Sequence, residues 1–247
     1  MSGALIVGAG GGISASCARL FVAAGMPVSM AARTPDKPEL RSLADELGVQ
    51  VYGCDAADPD SVRTLFEQVV SAQGVPGLVV HNIDGRMPSI FRKALVDADP
   101  ADVLQVLKNS TYSAFLVGQQ AAKYMLSQPL DAQGRRGSIL FTNASGALKG
   151  FAKSGAFAAA CHGKSGLAQS MARELMPDGI HVAHIPIDAA IGVTQTDGSR
   201  AHWAAGTSED DNMADPDRIA EVYLQLHQQH RSTWAYEVTL RPWVEKW

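Results

Sequence analysis

Residues 4–14 read Ala-Leu-Ile-Val-Gly-Ala-Gly-Gly-Gly-Ile-Ser, and residues 15–24 are typical of a helix. A short apolar strand that leads through glycines into a helix brings unpaired backbone N–H groups and the positive end of the helix dipole together. Glycine permits close approach of a phosphate because it carries no Cβ. The segment therefore predicts a nucleotide site, although an ordinary strand-to-helix turn has the same pattern.

Apolar strand segments alternate with helical segments along the rest of the chain. The predicted strands are 4–7, 27–32, 49–53, 78–81, 138–142, 180–185 and 234–240, and the predicted helices after the first are 38–47, 59–72, 100–126, 157–175 and 217–229. Strands without strict polar alternation, separated by helices, are typical of a parallel sheet covered on both faces. We therefore predict an α/β fold, a Rossmann-type doubly wound sheet of seven mainly parallel strands with ligands at their carboxyl ends.

The composition limits the classes to which the protein belongs. A chain of 247 residues fits a single domain, 1–247. With 25 acidic and 21 basic residues the formal charge is −4, so we expect no nucleic-acid partner. No apolar run approaches the roughly 18–20 residues of a membrane helix, so we expect no membrane partner. The start of the chain lacks the features of a secretion signal.

The cysteines and one late segment carry further expectations. Three isolated cysteines and seven scattered histidines show no metal-ligand or redox spacing, which predicts reduced thiols, a cytoplasmic location and no metal site. Residues 192–215 are rich in Gly, Thr, Ser and Asp and form a long irregular stretch. Such a stretch is either a mobile surface loop or a lid over a site, and we interpret it as the substrate loop.

The motifs, taken in order, resemble the short-chain dehydrogenase/reductase family over nearly the whole chain. The family's loop Thr-Gly-x-x-x-Gly-x-Gly corresponds to residues 7–14, with Val7 in place of the threonine and Ser14 in place of the last glycine. The resemblance implies that Asp55 lies beside the adenine ring and that Asn109 holds a catalytic water. It also implies a homodimer or homotetramer. The implied cofactor residues are Gly8, Gly10, Gly12, Ile13, Arg33, Asp55, Asn82, Lys164 and Asp188.

The end of the second predicted strand bears on which dinucleotide binds. An Asp or Glu there would bind the ribose 2′-hydroxyl of NAD and repel the 2′-phosphate of NADP. The strand ends at Ala32 and is followed by Arg33, whose planar guanidinium pairs with a phosphate through charge-assisted hydrogen bonds. We therefore expect NADP, with NAD as the less favoured cofactor and a solvated arginine as the alternative interpretation.

The catalytic residues of the family are incomplete in this chain. The family uses a Tyr and a Lys four residues apart on one helix face, where the lysine lowers the pKa of the tyrosine. The lysine corresponds to Lys164, but Ala160 stands four residues before it, and none of the five tyrosines has a lysine four residues later. Lys164 has a second role in the family, since it also hydrogen-bonds the nicotinamide ribose.

The serine of the family's catalytic set is displaced as well. In residues 141–147 the register places Gly146 at the catalytic serine, and a shift of one residue lets Ser145 serve. The predicted catalytic residues are Lys164, Asn109 and Ser145. Two functions are favoured: an oxidoreductase that acts on a carbonyl or alcohol with atypical proton transfer, and a catalytically silent protein that binds the dinucleotide as a regulator or scaffold. A lyase or isomerase that keeps the cofactor pocket for another substrate is a third, less favoured alternative.

Overall fold

A parallel sheet forms the centre of the computed structural model, which describes residues 2–194, 199–202, 206–207 and 212–246. Six strands pair in the order β3-β2-β1-β4-β5-β6, and every pairing is parallel. The strands are β1 Ala4–Val7, β2 Val28–Ala32, β3 Gln50–Gly53, β4 Leu78–His81, β5 Gly137–Ala144 and β6 Ile180–Ile187. Every residue of β1, β4 and β6 is buried, which explains their nearly uninterrupted apolar sequences.

Helices cover both faces of this sheet. They are α1 Ile13–Ala23, α2 Pro38–Leu47, α3 Pro59–Gln73, α4 Pro100–Leu107, α5 Ser113–Leu126, α6 Gly155–Leu175 and α7 Pro216–Gln228. Buried side chains of α1 and α7 form one apolar cluster with the sheet, and those of α3, α5 and α6 form another. Three helices begin with an Asp–Pro pair in which the aspartate side chain accepts from a first-turn amide: α3 at Asp58, α4 at Asp99 and α7 at Asp215.

The predicted helix over 100–126 is continuous but changes its winding. Between α4 and α5, Lys108–Tyr112 form a π-helical turn. Such turns bulge the backbone outward and often lie at functional sites. The turn carries Asn109, so the bulge sets where this side chain points.

The predicted seventh strand, 234–240, differs in detail from its expectation. This segment runs parallel beside β6, but it forms isolated bridges from Glu237 to His184 and from Leu240 to Ile187. Backbone hydrogen bonds connect the two segments, for example from the His184 N–H to the Tyr236 carbonyl at 2.7 Å. The six-stranded sheet is thus extended at its β6 edge by a bridged segment, which agrees roughly with the predicted seven strands.

The predicted irregular segment 192–215 contains short strands where it is described. β7 Val193–Thr194, β8 Arg200–His202 and β9 Gly206–Thr207 form an antiparallel sheet in the order β7-β8-β9. The remaining positions of the predicted substrate loop, 195–198, 203–205 and 208–211, lie outside the described residues. Among the described residues no helix is long and apolar enough to cross a membrane, and no cluster of metal-ligating side chains occurs.

Candidate functional site

The glycine loop after β1 leaves an open cradle above the start of α1. Gly8 has φ +95°, and a Cβ there would lie 2.4 Å from the Asn82 carbonyl oxygen, so this position requires glycine. A Cβ at Gly10 or Gly12 would meet no atom within 4 Å, so these glycines border open space. The first turn of α1 has no acidic residue and no side-chain cap, which leaves its amides available to an anion.

Ser14, which stands where the family has its last glycine, connects two strand ends. Its hydroxyl donates to the Gly8 carbonyl at 2.9 Å and accepts from the Asn82 side-chain amide at 2.7 Å. Ser14 is buried, so each bond forms away from bulk water. The substitution therefore replaces close helix packing by hydrogen bonds that fix the loop against the end of β4.

A single cleft of about 1260 Å³ runs along the carboxyl ends of the strands. At one end Arg33 and Lys37, both exposed, line the cleft together with Asp55. Asp36 is not part of the lining, because its carboxylate accepts from Arg41 at 2.7 Å on the outer surface. This end of the cleft is therefore lined by two cationic side chains, Arg33 and Lys37. No carboxylate that follows β2 competes with them among the described lining residues.

Asp55 has its own anchors at this end of the cleft. Its backbone N–H donates to the Ser61 hydroxyl at 3.0 Å, and its Oδ1 accepts from the Ala57 N–H at 3.0 Å. The side chain remains exposed and lines the cleft. These bonds hold the carboxylate at the surface of the cleft, where a ligand can reach it.

The other end of the cleft is polar. Among its described lining residues Asp84 is the one carboxylate, and there is no tyrosine. Ser145 begins a short 3₁₀ turn after β5, and its hydroxyl side chain lines the cleft. Asn109 lines the cleft too, and its Oδ1 accepts from Gln105 at 2.8 Å. Hydroxyl and amide groups there can orient a carbonyl or a water, but neither is a strong acid at neutral pH.

Lys164 is sealed beneath this end of the cleft rather than exposed in it. Its side chain is 0% exposed, and Nζ donates to the Ile83 carbonyl at 2.5 Å and to the Thr142 carbonyl at 3.2 Å. Burial lowers the pKa of Lys164 to about 8. The ammonium therefore connects the ends of β4 and β5, and it is absent from the described cleft lining.

The space around Ala160 explains why the lysine is sealed. Ala160 is 0% exposed and packs in a small apolar cluster with Phe157 and Cys161. A Cβ at Gly146 would lie 3.1 Å from both the Cys161 sulfur and the Phe157 ring. Phe157 and Cys161, which pack in one cluster with Ala160, therefore also approach Gly146, the register position of the family's serine. Burial also raises the pKa of the Cys161 thiol to about 11, which keeps it protonated.

Asp188 lies outside the described cleft lining, in an ion cluster behind it. Its carboxylate is 5% exposed and lies 3.1 Å from the Lys149 ammonium and 3.7 Å from Nε of Arg241. These cations satisfy a charge that burial would otherwise penalise. The structure thus brings most predicted site residues to the cleft and leaves Lys164 and Asp188 behind its wall. Those that line it are Gly8, Gly10, Gly12, Ile13, Arg33, Asp55, Asn82, Asn109 and Ser145.

A buried histidine connects a residue of the cleft lining to an exposed glutamate. His184 is 0% exposed, with Nε2 2.8 Å from the Asn143 amide nitrogen and Nδ1 2.9 Å from Oε2 of Glu237. Burial lowers the pKa of His184 more than Glu237 raises it. Asn143 lines the cleft, so the chain of contacts reaches it. No local motif marks these residues, because they lie far apart in the sequence.

Comparison with known proteins identifies the family. The family profile described as enoyl-(acyl carrier protein) reductase, of the short-chain alcohol dehydrogenase type, matches residues 8–235. The chain belongs to the short-chain dehydrogenase/reductase family. It is 29% identical to tropinone reductase-like 2 of Erythroxylum coca over 201 residues, which cover 79% of this chain and 69% of that protein. With secoisolariciresinol dehydrogenase of Forsythia intermedia it shares 28% identity, over 72% of this chain and 62% of that one.

Solved structures of short-chain dehydrogenases/reductases share the fold. A short-chain dehydrogenase from Rhodopseudomonas palustris superposes with a TM-score of 0.76 at 28% identity, covering 97% of this chain and 98% of that one. A metagenomic short-chain oxidoreductase in complex with NADP gives a TM-score of 0.76 at 24% identity, covering 98% and 97%. These solved structures therefore show the fold of the family for this chain.

Proposed function

We propose that this protein is an NADP-dependent oxidoreductase that acts on a small carbonyl or alcohol substrate with atypical proton transfer. The observation that carries the proposal is the continuity of the cleft, which joins the cationic end at Arg33 and Lys37 to the polar end at Ser145 and Asn109. Its volume of about 1260 Å³ exceeds the roughly 300–1,000 Å³ of ordinary ligand pockets, which suits a dinucleotide beside a substrate.

The residues of the cleft fit the parts of NADP. The open glycine cradle and the first-turn amides of α1 would hold the pyrophosphate. Arg33 and Lys37 would pair with the 2′-phosphate, and Asp55 would contact the adenine end. When bound, the nicotinamide supplies hydride chemistry. Ser145 and Asn109 would orient the substrate oxygen and a water that exchanges the proton.

The loss of the tyrosine predicts slow turnover. A positioned general acid typically contributes about 10²–10⁴ in rate, and the described lining of the cleft holds no tyrosine in its place. Lys164 does not act on the substrate in this proposal, because its ammonium is held by backbone carbonyls. Its sealed position also favours the second candidate, a catalytically silent protein that binds NADP as a regulator or scaffold.

Two measurements test the proposal and separate the candidates. Fluorescence titration should give tighter binding of NADPH than of NADH, and Arg33→Ala should weaken NADPH binding by roughly tenfold or more, since a charge-assisted hydrogen bond is worth about 1.5–3 kcal/mol. Arg41→Ala is the matched control, because Arg41 pairs with Asp36 on the outer surface. NADPH oxidation with a panel of ketones and aldehydes is the second measurement; tight binding without any oxidation would refute the oxidoreductase and support the silent candidate.

The location and assembly of the protein belong to the same proposal. Cys17, Cys54 and Cys161 are free and buried, which suits a reducing cytoplasm. Tyr112 and Phe115 are 42% and 40% exposed and stack with their ring centroids 6.4 Å apart. Exposed aromatic pairs favour contact between subunits, so we propose a homodimer or homotetramer, to be measured by light scattering at several protein concentrations.

A further inference from the structure

Arg86 and Arg92 line the polar end of the cleft, and neither cofactor binding nor the proposed proton transfer uses them. The Arg86 guanidinium carbon lies 4.4 Å from the ring centroid of Phe157. Phe157 precedes Ala160 by three residues on α6, so both face the same side of the helix. Arg86 is therefore placed beside the reacting end of the cleft and away from the nucleotide-phosphate end.

The charge of Arg86 is paired with a carboxylate only at a long distance. Asp84 is its ion-pair partner among the described residues, but the distance from Arg86 Nε to Asp84 Oδ2 is 3.7 Å. The other oxygen of Asp84 accepts from the Arg86 backbone N–H at 2.7 Å, which holds the carboxylate against the loop. The terminal nitrogens of the guanidinium make no contact with a carboxylate of the described residues. A guanidinium presents these nitrogens as a fork that matches an oxyanion.

Arg92 adds a second cation to the same end of the cleft. Ile90, two residues earlier, packs in the cluster that contains Phe157, which places this loop against the start of α6. Arg92 itself is exposed, and its guanidinium lies 5.3 Å from the centroid of the Phe91 ring. Its φ is +52°, in the left-handed region that residues other than glycine rarely adopt, which favours a functional reason for this conformation.

Among the described residues that line the cleft, Asp55 and Asp84 are the only carboxylates, and Asp55 lies at the opposite end. Burial, and then the charge of Arg86, lower the pKa of His202, so this neighbour is neutral at neutral pH. Asp84, Arg86 and Arg92 together give a net charge of +1 at this end of the cleft, within a chain whose formal charge is −4. Phe91 and Phe151 line the same cleft and offer apolar surface. The combination fits an apolar molecule with one negative group.

We propose that the substrate is an apolar carbonyl or alcohol compound that carries an oxyanion, and that Arg86, assisted by Arg92, binds this group. The proposal names the substrate class of the proposed oxidoreductase and so rests on that function. The oxyanion is a carboxylate or a phosphate ester, since a guanidinium fork binds both through paired hydrogen bonds. A neutral analogue of the same shape would lack the charge-assisted hydrogen bonds that an oxyanion makes with the guanidinium.

Calorimetry on the protein saturated with NADP⁺ tests this binding. The probes are phenylglyoxylate with its methyl ester, and phenacyl phosphate with 2-hydroxyacetophenone. We expect an anionic probe to bind at least tenfold tighter than its neutral partner. Arg86→Met should abolish this preference, Arg86→Lys should retain part of it, and Arg63→Met, on the exposed face of α3, should retain all of it.

The outcomes separate this inference from the proposed function. Preference for an anion that depends on Arg86 supports the inference, and the preferred anion, phenylglyoxylate or phenacyl phosphate, identifies the oxyanion. Equal binding of both members of each pair, absence of binding by all four probes, or full preference in a folded Arg86→Met variant overturns it. NADPH oxidation is measured separately. Anion binding that depends on Arg86 without any oxidation refutes the oxidoreductase while the oxyanion site stands.

Discussion

Replacing Lys164 should change how stability depends on pH, because its ammonium is held in a fully buried position. Nζ donates to the Ile83 and Thr142 carbonyls, and burial lowers the pKa from 10.5 in the open chain to about 8 in the folded protein. Below about pH 8 both states carry the proton, and the cost of burying the charge is fully present. Between about pH 8 and about pH 10.5 the unfolded chain binds more protons than the folded protein. Stability from this group therefore rises with pH in that window.

The size of the effect follows from the two pKa values. The shift in the pKa of Lys164 corresponds to about 3 kcal/mol in the free energy of unfolding, since one pKa unit is worth about 1.36 kcal/mol. About 2.5 kcal/mol of this change occurs between about pH 7 and about pH 10. Other groups titrate in the same range; the raised pKa of Cys161, for example, acts in the opposite direction. The difference between wild type and Lys164→Met removes the contributions of groups that do not interact with Lys164, while Cys161 stays coupled to it because the Lys164 charge lowers the pKa of its thiol.

Urea unfolding of both proteins across this pH range measures the difference. The wild type should gain about 2.5 kcal/mol relative to Lys164→Met on going from about pH 7 to about pH 10. Lys123→Met removes an exposed lysine of α5, so its difference from wild type should stay flat. A flat difference for Lys164→Met as well would refute the reasoning, since it would mean that the ammonium is solvated rather than sealed.

Three further predictions concern the glycine loop and the position of the missing tyrosine. Gly8→Ala should lower the free energy of unfolding by about 1–3 kcal/mol, because of the positive φ at this position and the contact with Asn82. Gly10→Ala should leave stability unchanged and weaken NADPH binding, because the new Cβ enters the open cradle. Ser14→Ala should cost about 1–3 kcal/mol by leaving the Asn82 amide without its acceptor. Ala160→Tyr should cost about 1–3 kcal/mol by overpacking a fully buried position, and should not restore fast turnover.

Thermal or urea unfolding measures each of these stabilities, and fluorescence titration measures NADPH binding. Equal loss of stability in Gly8→Ala and Gly10→Ala would contradict the different surroundings of the two glycines. Ser14→Thr, which keeps the hydroxyl, is the matched comparison for Ser14→Ala. A stable Ala160→Tyr variant with a large increase in ketone reduction would show that the site accepts the tyrosine without rearrangement of Phe157, contrary to the packing described above.

Local patterns predicted most of the fold because each depends on residues close in sequence. The helix α2 and the strand β4 have their predicted limits, since Pro38 and Gly48 bound the first and the apolar run 78–81 defines the second. The segment 234–240 was predicted as a strand and forms isolated bridges with β6. Residues 192–215 were predicted as irregular and contain short antiparallel strands where described. Edge pairing of this kind depends on partners remote in sequence, which local pattern cannot supply.

The residues of the candidate site also fall into two groups: those predicted from the sequence and those whose side-chain position only the structure gives. The glycine loop and Arg33 were predicted from strand ends, because the carboxyl ends of parallel strands meet at one edge, whereas Asp55 was predicted from the family resemblance. Lys164 and Asp188 occupy the expected elements, but a residue's element does not decide whether its side chain faces the cleft. Contacts remote in sequence decide this: the carbonyls of Ile83 and Thr142 hold the lysine.

The sequence by itself predicted the succession of strands and helices and a glycine loop between the first strand and the first helix, and it places Ala160 four residues before Lys164. Only the tertiary structure decided that Phe157 and Cys161 fill the space beside Ala160, that Lys164 is sealed from the cleft, and that Arg86 faces it. The physical reason is that backbone pattern follows from local hydrogen bonding and apolar periodicity, whereas burial and charge environment depend on how distant side chains pack together.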